Sequence, residues 1–425
     1  MTRILYISYD GMTDALGRSQ VIPYLEGLSR KGYSFHVISC EKPDVYQDQR
    51  SVVERIFQQS GIGWTPLKFS TELGGLSKVY DIHQMKKAAV ILHRQHAFDA
   101  VHCRSYMASF AGLALKRRFG IPFLFDMRGF WADERVEGNI WRMTNPLLRA
   151  AYHYFKKQEK IFFREADAII SLTLKGKEVI RDISGPEPHE KTAVIPCCTD
   201  MELFSPQQAS PGARVEIRKQ LHIRDGDFVL AYLGSLGTWY MAEEMMAFFL
   251  RLQIKQPTAL FLFITAEDPA LIMKHAQQAG VDPSRIRIYK ASRNQVPLVL
   301  SLAHASIFFI RPVFSKTASS PTKQGEIMSM GIPFITNKGI GDIDQMVAQT
   351  RAGILIDDFS QHAYDDAVDG LLNILPANKD HIRQCALEHF SLDKGVGKYH
   401  AVYQKLLRKG LEVLEEEEIK DPIQP

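Results

Sequence analysis

The chain has 425 residues, of which 45% are hydrophobic and 24% are charged, and its net charge is +4. This composition is typical of a soluble protein with two globular domains, and it favours neither a nucleic-acid binder nor a disordered chain. Five cysteines without a C-x-x-C pair fit neither a disulfide framework nor a zinc knuckle, so a reducing cytoplasm is the expected location. The opening segment is too short for a signal peptide, and no apolar run is long enough to cross a bilayer.

Short β-branched and aromatic runs alternate with helical patterns along the whole chain, which predicts an α/β protein with parallel sheets. The first half is expected to form one doubly wound domain, with helices such as Ser19 to Lys31 and Ser105 to Phe119. Its predicted strands are Ile4 to Ser8, Ser34 to Ser39, Ala100 to His102, Phe123 to Asp126, Ala168 to Leu172 and Thr192 to Ile195. The Pro-, Ser- and Gly-rich segment Phe204 to Gly212 predicts an interdomain linker.

The same alternation restarts after this linker and predicts a second sheet domain. Its predicted strands are Phe228 to Leu233, Leu260 to Thr265, Ile286 to Tyr289, Ile307 to Ile310, Phe334 to Thr336 and Gly353 to Ile356. Lys398 to Leu414 has apolar residues at helical spacing, and the acidic run Glu415 to Glu418 is expected to be solvated. The predicted domains are therefore 1–205 and 206–390, followed over 391–425 by a tail and a helix that packs back toward the first domain.

Ligands of open parallel sheets bind beyond the carboxyl ends of the strands, so the loops there are the candidate sites. The first such loop, Asp10 to Ser19, contains Gly11 and Gly17, whose backbone can approach a phosphate or a sugar. It lacks the G-x-G-x-x-G fingerprint, which removes the main support for hydride chemistry with a dinucleotide. The alternative for both glycines is an ordinary turn.

A second strand-end loop, Phe125 to Glu134, contains Asp126, Arg128 and two large aromatic rings. This composition suits pyranose hydroxyls and the charge on a leaving phosphate. The acids that could orient an acceptor or act as a base are Asp126, Asp133 and Glu134. His102 and Arg104, two residues apart at another strand end, are expected to face the same crevice. A catalytic role for His102 competes with that of a satisfied core residue.

The most informative stretch, Ser320 to Pro333, predicts a loop and a helix with Lys323 in its first turn and Glu326 three residues later. The free N–H groups and the helix dipole favour a phosphate, Lys323 adds a charge, and Glu326 can accept from a ribose diol. The alternative is an ordinary helix with a solvated lysine and glutamate. Gly234 and Ser235, and Gly341, lie in further strand-end loops and are candidate pyrophosphate contacts, unless they only form turns.

The order of these segments resembles the family-four glycosyltransferases, which retain the anomeric configuration and have the GT-B fold. The resemblance rests on the opening strand with its Gly turn, Phe125 to Glu134, Val194 to Asp200 with Phe204, Gly234 to Gly237, and Pro321 to Pro333. It implies two Rossmann-like domains that face each other across a cleft. It also implies that Lys323 contacts the donor diphosphate, that Glu326 holds the ribose and that the Gly11 to Gly17 loop closes over the donor sugar.

The function implied by the resemblance is that of a cytoplasmic hexosyltransferase that works without a metal or another cofactor. It would transfer a sugar from a UDP- or GDP-sugar to a glycan or lipid-linked acceptor, in the synthesis of cell-surface polysaccharide or glycoconjugate. The expected catalytic residues are Lys323, Arg128, Asp126 and His102. The expected donor-binding residues are Gly11, Gly17, Gly234, Ser235, Lys323, Glu326 and Gly341.

The chain departs from the family pattern at three places. Ala318 stands where a second glutamate often touches the donor sugar, Arg128 replaces a frequent histidine, and Thr238 and Trp239 replace a basic residue. The charge of the leaving phosphate would then fall to Arg128, Arg311 and Lys323. A sugar-nucleotide 2-epimerase, and a non-catalytic subunit that binds a nucleotide sugar or a glycan, are the alternative functions.

The segment Leu147 to Arg164 combines cationic and aromatic side chains at helical spacing. It predicts either a helix half buried in the first domain or one that docks on an anionic membrane. Docking would place the protein at the inner face of a membrane and would suit a lipid-linked acceptor.

Overall fold

The computed structural model describes residues 1–71, 77–374 and 379–420, with side chains up to position 408. Close contacts divide the chain into two units, of which the second is Cys197–Ser391 and the first contains Met1–Pro196 and the segment from Leu392 onward. The second unit begins before the linker at Phe204 because Thr199 forms a β-bridge with Ser391.

The first unit contains a seven-stranded sheet in the order β3-β2-β1-β4-β5-β6-β7, and all of its strand pairs are parallel. The strands are β1 (Thr2–Ser8), β2 (Tyr33–Glu41), β3 (Gly63–Lys68), β4 (Ala100–Arg104), β5 (Phe123–Asp126), β6 (Ala168–Ser171) and β7 (Thr192–Val194). The order of connection reverses between β1 and β4, and the ends of these two strands therefore form the topological switch point where ligands usually bind.

Nine helices precede the second unit in the described part of the chain. They are α1 (Ala15–Gln20), α2 (Ile22–Ser29), α3 (Pro43–Gln59), α4 (Ser77–His96), α5 (Ser105–Phe119), α6 (Trp131–Glu137), α7 (Pro146–Glu165), α8 (Leu174–Ser184) and α9 (Pro186–Glu190). The helix predicted over Ser19 to Lys31 is two helices that meet at Val21, where the backbone leaves helical geometry just before Pro23. Proline has no N–H to continue the preceding turn.

The second unit contains a six-stranded parallel sheet in the order β10-β9-β8-β11-β12-β13. The strands are β8 (Val229–Leu233), β9 (Leu260–Ile264), β10 (Ile286–Tyr289), β11 (Ala305–Phe308), β12 (Phe334–Asn337) and β13 (Gly353–Ile356). The switch point lies between β8 and β11. β11 ends before the predicted Ile310, because Ile310 forms a bridge with Tyr240 in the loop after β8.

The helices of the second unit surround this sheet. They are α10 (Pro211–Gln220), α11 (Ala242–Lys255), α12 (Pro269–Ala279), α13 (Val296–Leu300), α14 (Thr322–Ser329), α15 (Ile343–Thr350), α16 (Gln361–Ile374) and α17 (Lys379–Phe390). Short 3₁₀ turns cover Pro206–Gln208, Pro283–Arg285 and Phe314–Ala318.

The last helix, α18 (Leu392–Lys420), belongs to the first unit and packs on α2. Gly27 permits this contact, since a Cβ there would lie 2.6 Å from a methyl carbon of Val396. The side chains of Tyr399 and Tyr403 are buried in the first unit. The side chains of the acidic run Glu415 to Glu418 are outside the described part of the chain. The prediction that they are solvated therefore concerns side chains that the structure does not describe. Within the described ranges no helix is both long and apolar enough to cross a membrane.

Candidate active site

The N-terminus of α14 lies beyond the carboxyl ends of the second sheet, because α14 connects the end of β11 to the start of β12. Pro321 precedes the helix and gives no side-chain cap, and the N–H groups of Thr322 and Lys323 donate to no acceptor in the described part of the chain. A Cβ at Gly325 would lie 2.6 Å from Oγ1 of Thr199, so glycine is needed for the helix to pack there. The helix thus presents free donors at its positive end, as the sequence predicted.

The ammonium group of Lys323 is buried between two tyrosines. Its Nζ donates to the hydroxyl of Tyr232 at 3.0 Å and lies 4.2 Å and 3.5 Å from the ring centroids of Tyr232 and Tyr240. Among the described residues no carboxylate comes within ion-pair distance of Nζ. Burial holds the pKa of Lys323 well below 10.5, and Glu326 acts in the opposite direction. A buried cation without a contacting counter-ion favours an anionic ligand.

Glu326 lies one turn further along α14 and is buried. Its Oε1 accepts from Nη1 of Arg293 at 2.9 Å, and the guanidinium of Arg293 lies 5.2 Å from the ring centroid of Phe204. Oε2 accepts no hydrogen bond from any described residue, and it is therefore the oxygen open to a ligand hydroxyl. Tyr232, Tyr240 and Arg293 were not predicted as site residues, because only the tertiary fold brings them to α14.

The three predicted contacts in loops have different environments. Gly234 has a φ of 108° and a Cβ there would lie 3.2 Å from Nζ of Lys323, so a larger residue would crowd the ammonium group. The carbonyl of Ser235 accepts from the hydroxyl of Tyr232 and helps to fix that ring. The N–H of Gly341 donates to the carbonyl of Lys316 at 2.8 Å and is not available to a phosphate in this state.

Two of the three departures from the family pattern, at Ala318 and at Thr238 and Trp239, lie in the second unit. Ala318 is fully buried in the 3₁₀ turn Phe314–Ala318. In the same turn, Lys316 is buried and its Nζ lies 3.8 Å from the ring centroid of Trp239. Positions 238 and 239 have no basic residue, but the ammonium group of Lys316 lies against the ring of Trp239. The side chain of Arg311 is exposed, and the backbone N–H of Arg311 donates to the carbonyl of Trp239.

Asp126 is the centre of a buried polar cluster in the first unit. Its Oδ2 accepts from the hydroxyl of Tyr399 at 2.9 Å and lies 3.5 Å from Nε2 of His102, and its Oδ1 lies 3.7 Å from Nη1 of Arg128. Burial acts to raise the pKa of this carboxyl, but Arg128, His102 and Arg104 together lower it from 3.8 to about 2. Asp126 is therefore a carboxylate at all ordinary pH values.

His102 lies behind this carboxylate, within the core. Its Nδ1 shares a hydrogen bond of 2.7 Å with the hydroxyl of Tyr403, and its ring packs against those of Tyr6, Tyr399 and Tyr403. Burial lowers the pKa of His102 below 6.5, against the opposing effect of Asp126. This environment fits the alternative of a core residue.

Arg128 and Arg104 lie at the ends of neighbouring strands, where Arg104 pairs in register with Asp126. Arg128 has a φ of 61°, a conformation that non-glycine residues rarely adopt, and Gly129 follows with a φ of 134°. Nε of Arg104 donates to Oδ2 of Asp10 at 3.3 Å. His102 and Arg104 both lie close enough to Asp126 to lower the pKa of its carboxyl, and the expectation that they face a ligand crevice stays a prediction.

Gly11 and Gly17 are required by packing in the loop after β1. A Cβ at Gly17 would lie 2.2 Å from the carbonyl oxygen of Gly11, and one at Gly11 would lie 2.7 Å from Oε2 of Glu41. The buried carboxylate of Glu41 accepts the N–H groups of Met12 and Thr13 at 2.7 Å and 3.2 Å. These N–H groups are therefore bonded to the protein itself, and the role of the loop over a donor sugar stays a prediction.

The remaining acids of the predicted loop are differently placed, because a short helix, α6, begins at Trp131. Asp133 accepts from the hydroxyl of Tyr152 at 2.9 Å and from Nζ of Lys156 at 2.8 Å. Asp133 is thus bonded to α7. Among the described residues no group of three His, Cys, Asp or Glu side chains is arranged to hold a metal ion.

Two family models match the chain, and together they span both units. Residues 21–203 match Glycosyltransferase Family 4, and residues 213–384 match Glycosyl transferases group 1. A search of curated protein sequences gave no significant match.

Several solved structures share the fold at low sequence identity. Sucrose-phosphate synthase from Thermosynechococcus elongatus has a TM-score of 0.72 at 16% identity, covering 96% of this chain and 100% of its own. HepE from Anabaena, in complex with UDP and glucose, has a TM-score of 0.69 at 13% identity, covering 95% and 100%. UDP-GlcNAc 2-epimerase from Neisseria meningitidis, bound to UDP-GlcNAc, has a TM-score of 0.58 at 13% identity, covering 96% and 100%.

Proposed function

Because the chain belongs to the family-four glycosyltransferases of the GT-B fold, we propose that it transfers a hexosyl group from a nucleotide-diphosphate sugar to a hydroxyl of a glycan or lipid-linked acceptor. The proposal includes retention of the anomeric configuration and a role in cell-surface polysaccharide or glycoconjugate synthesis. The observation that carries it is the buried ammonium group of Lys323, which has no contacting carboxylate among the described residues and lies at a helix N-terminus with free N–H groups.

The donor diphosphate would bind at the N-terminus of α14. The N–H groups of Thr322 and Lys323 would donate to phosphate oxygens, and the ammonium of Lys323 would supply the counter-charge. Oε2 of Glu326 would accept from the ribose hydroxyls while Arg293 neutralises the other oxygen. HepE, solved with UDP and glucose, supports the choice of a UDP-sugar, and a GDP-sugar stays the alternative.

In the reaction, the bond between the anomeric carbon and the diphosphate oxygen breaks and a bond to the acceptor oxygen forms on the same face. The departing phosphate takes the acceptor proton, so the protein supplies no nucleophile. Lys323 stabilises the charge that develops on the leaving group. In the first unit, Asp126 orients the acceptor, His102 acts by positioning Asp126, and Arg128 supplies positive charge for a phosphate group.

The two alternatives differ from this proposal in what they release. An epimerase is supported by a fold likeness with a TM-score of 0.58, against 0.72 for sucrose-phosphate synthase. It would return an epimer of the nucleotide sugar. A binding subunit, suggested by the missing glutamate at Ala318, would release neither nucleotide nor epimer.

The proposal predicts that a panel of UDP- and GDP-sugars, incubated with the protein, yields free nucleotide diphosphate from at least one donor, and more of it when a mixture of glycan acceptors is added. Chromatography of the nucleotides and of the sugar released measures this.

Replacing Glu326 with glutamine is expected to raise KM for that donor about ten-fold, since it weakens the hydrogen bond to the ribose. The proposed transferase activity would be refuted if the protein converted the nucleotide sugar to its epimer. It would also be refuted if the protein bound nucleotide sugars tightly but released nucleotide diphosphate from none of them.

A lipid-linked acceptor is supported by the outer face of α7. Phe155, Glu159, Phe162 and Phe163 are buried, whereas Leu147 is 78% exposed and Tyr154 is 51% exposed. The exposed cations of the helix are Arg149, Lys157, Lys160 and Arg164. We include contact with an anionic bilayer at the inner face of a membrane in the proposal, together with a cytoplasmic location, which the five buried free cysteines also suit.

Binding of the protein to vesicles tests this part of the proposal. At low salt, vesicles that contain phosphatidylglycerol are expected to sediment with the protein, and high salt should release it. The double variant Lys157→Glu with Lys160→Glu is expected to lose binding, whereas Lys219→Glu with Lys274→Glu, in the second unit, should keep it. No sedimentation of the native protein at low salt would exclude the contact.

A further inference from the structure

Arg293 holds the carboxylate of Glu326 although it lies outside α14. It belongs to the loop between β10 and α13, 33 positions before Glu326 in the chain. Its Nη1 donates to Oε1 of Glu326 at 2.9 Å, and the side chain of Glu326 is only 9% exposed. A charge-assisted hydrogen bond to a buried carboxylate is stronger than one in water, so this contact fixes the orientation of Glu326.

The guanidinium of Arg293 is itself supported by Phe204. Its Cζ lies 5.2 Å from the centroid of this ring, which is fully buried. The backbone of Phe204 is held in turn, because its carbonyl accepts from Nη1 of Arg383 at 2.8 Å and its N–H donates to the carbonyl of Asp200 at 2.9 Å. An aromatic face attracts a cation. Arg293 therefore has a defined position, although its side chain is 32% exposed.

The two oxygens of Glu326 differ in this arrangement. Oε1 is bonded to Arg293, whereas Oε2 accepts no hydrogen bond from any residue within the described ranges. A glutamate side chain has several rotatable bonds and loses rotamer entropy when a ligand fixes it. Because Arg293 already orients the carboxylate, a ligand that bonds to Oε2 loses less of this entropy on binding.

The oriented carboxylate lies beside the group proposed for the donor diphosphate. Burial lowers the pKa of Lys323, and the nearby charge of Glu326 acts against that effect. The ribose of a nucleoside diphosphate is attached directly to the diphosphate, so its hydroxyls lie within one sugar ring of the phosphate oxygens. A diphosphate at Lys323 therefore brings a ribose hydroxyl within reach of Glu326.

We propose that Arg293 is a positioning residue for the ribose of the donor, and that through Glu326 it makes the site select ribonucleotides over deoxyribonucleotides. The inference rests on the donor site of the proposed function, with Lys323 at the diphosphate and Glu326 at the ribose. A nucleotide that lacks the bonded hydroxyl leaves Oε2 without a donor. An acceptor held in place without a donor is costly, which is the source of the selection.

Calorimetric titration with UDP, 2′-deoxy-UDP and 3′-deoxy-UDP tests this role. The native protein is expected to bind UDP about ten-fold or more tightly than at least one deoxy analogue. Arg293→Gln is expected to weaken UDP about ten-fold but that analogue less than about three-fold, so the preference for ribose falls at least about three-fold. If the donor panel identifies a GDP-sugar, the corresponding guanine nucleotides are used.

Two further variants serve as controls. Arg224→Gln removes an arginine of the same unit whose side chain is 82% exposed, and it should change neither affinity. Arg293→Lys keeps the charge without the planar fork and should restore part of the preference. If Arg293→Gln does not fold, as judged by its melting temperature without ligand, Arg293→Lys is measured against the native protein by the same criteria.

A double variant shows whether Arg293 acts through Glu326. Glu326→Gln alone lowers the affinity for UDP, and the addition of Arg293→Gln is expected to lower it further by less than about two-fold, because both changes remove the same contact. A full further loss would mean that Arg293 acts independently of Glu326 and would overturn the inference.

Two other results would overturn it as well. One is equal affinity of the native protein for UDP and both deoxy analogues, and the other is an unchanged preference for ribose in Arg293→Gln. The proposed function fails in a different way, by release of nucleotide diphosphate from no donor in the panel. A protein that selects the ribose through Arg293 but transfers no sugar would refute the transferase and support the positioning role.

Discussion

Replacement of Lys323 by methionine is expected to reduce sugar transfer about 100- to 1000-fold, because the variant loses the charge that faces the leaving diphosphate. Methionine has a similar length and leaves the contact with the rings of Tyr232 and Tyr240 largely filled. The loss should appear in kcat and in the affinity for UDP. Free N–H groups of α14 remain in the variant, and residual binding of UDP is expected from them.

The same replacement is expected to leave the ligand-free second unit as stable as before, or more stable. Burial lowers the folded-state pKa of Lys323 well below its value of 10.5 in an unfolded chain, so the unfolded chain binds the proton more tightly. The ionisation of Lys323 therefore opposes folding below pH 10.5, and its cost shrinks as the pH rises toward that value. A catalytic group that destabilises its own domain is typical of an active site and rare for a structural lysine.

Thermal unfolding with and without UDP measures both effects. The native protein should gain melting temperature with UDP, while Lys323→Met should start at an equal or higher value and gain little. Lys255→Met is the control, because Lys255 lies on α11, is partly exposed and pairs with Asp369. A clear fall in melting temperature for Lys323→Met without ligand would show that Lys323 is structural and would contradict its role at the donor phosphate.

The sheets were predictable from the sequence because most of their strands are covered on both faces and appear as short apolar runs. β3 was not predicted, since its residues are half exposed and Pro66 lies within it. Proline is tolerated there because β3 lies at the edge of the described sheet, next to β2. The patterns thus identify the core of each sheet more readily than its edges.

The helix that carries Lys323 was also predictable, because its free N–H groups and charges depend on a few consecutive residues. The tyrosines around Lys323 were not, since Tyr232 is separated from it by 91 positions along the chain. His102 shows the same limit: its burial depends on Tyr403, which is 301 positions away. Local chemistry could be predicted from the sequence, whereas burial and counter-charges required the tertiary structure.

Replacement of Asp126 by asparagine is expected to destabilise the first unit by about 3–5 kcal/mol at neutral pH, because it removes the buried carboxylate that lies 3.7 Å from Arg128 and that Arg104 also stabilises. The amide can still accept from the hydroxyl of Tyr399, so α18 keeps that contact in part. Asp10→Asn is the matched control. It removes the other carboxylate beside Arg104, but that side chain is 42% exposed, and a loss below about 1 kcal/mol is expected.

The pH dependence separates the charge of Asp126 from its shape. Its folded-state pKa of about 2 lies below its ordinary value of 3.8, so its ionisation stabilises the fold above pH 3.8, and that contribution is lost as the pH falls toward 2. The shift corresponds to about 2 kcal/mol. Urea unfolding of the native protein and of Asp126→Asn should therefore differ most near neutral pH, and the difference should shrink by about 2 kcal/mol in acid. A difference that is the same at pH values above and below this range would mean that packing, and not charge, is what the asparagine disturbs.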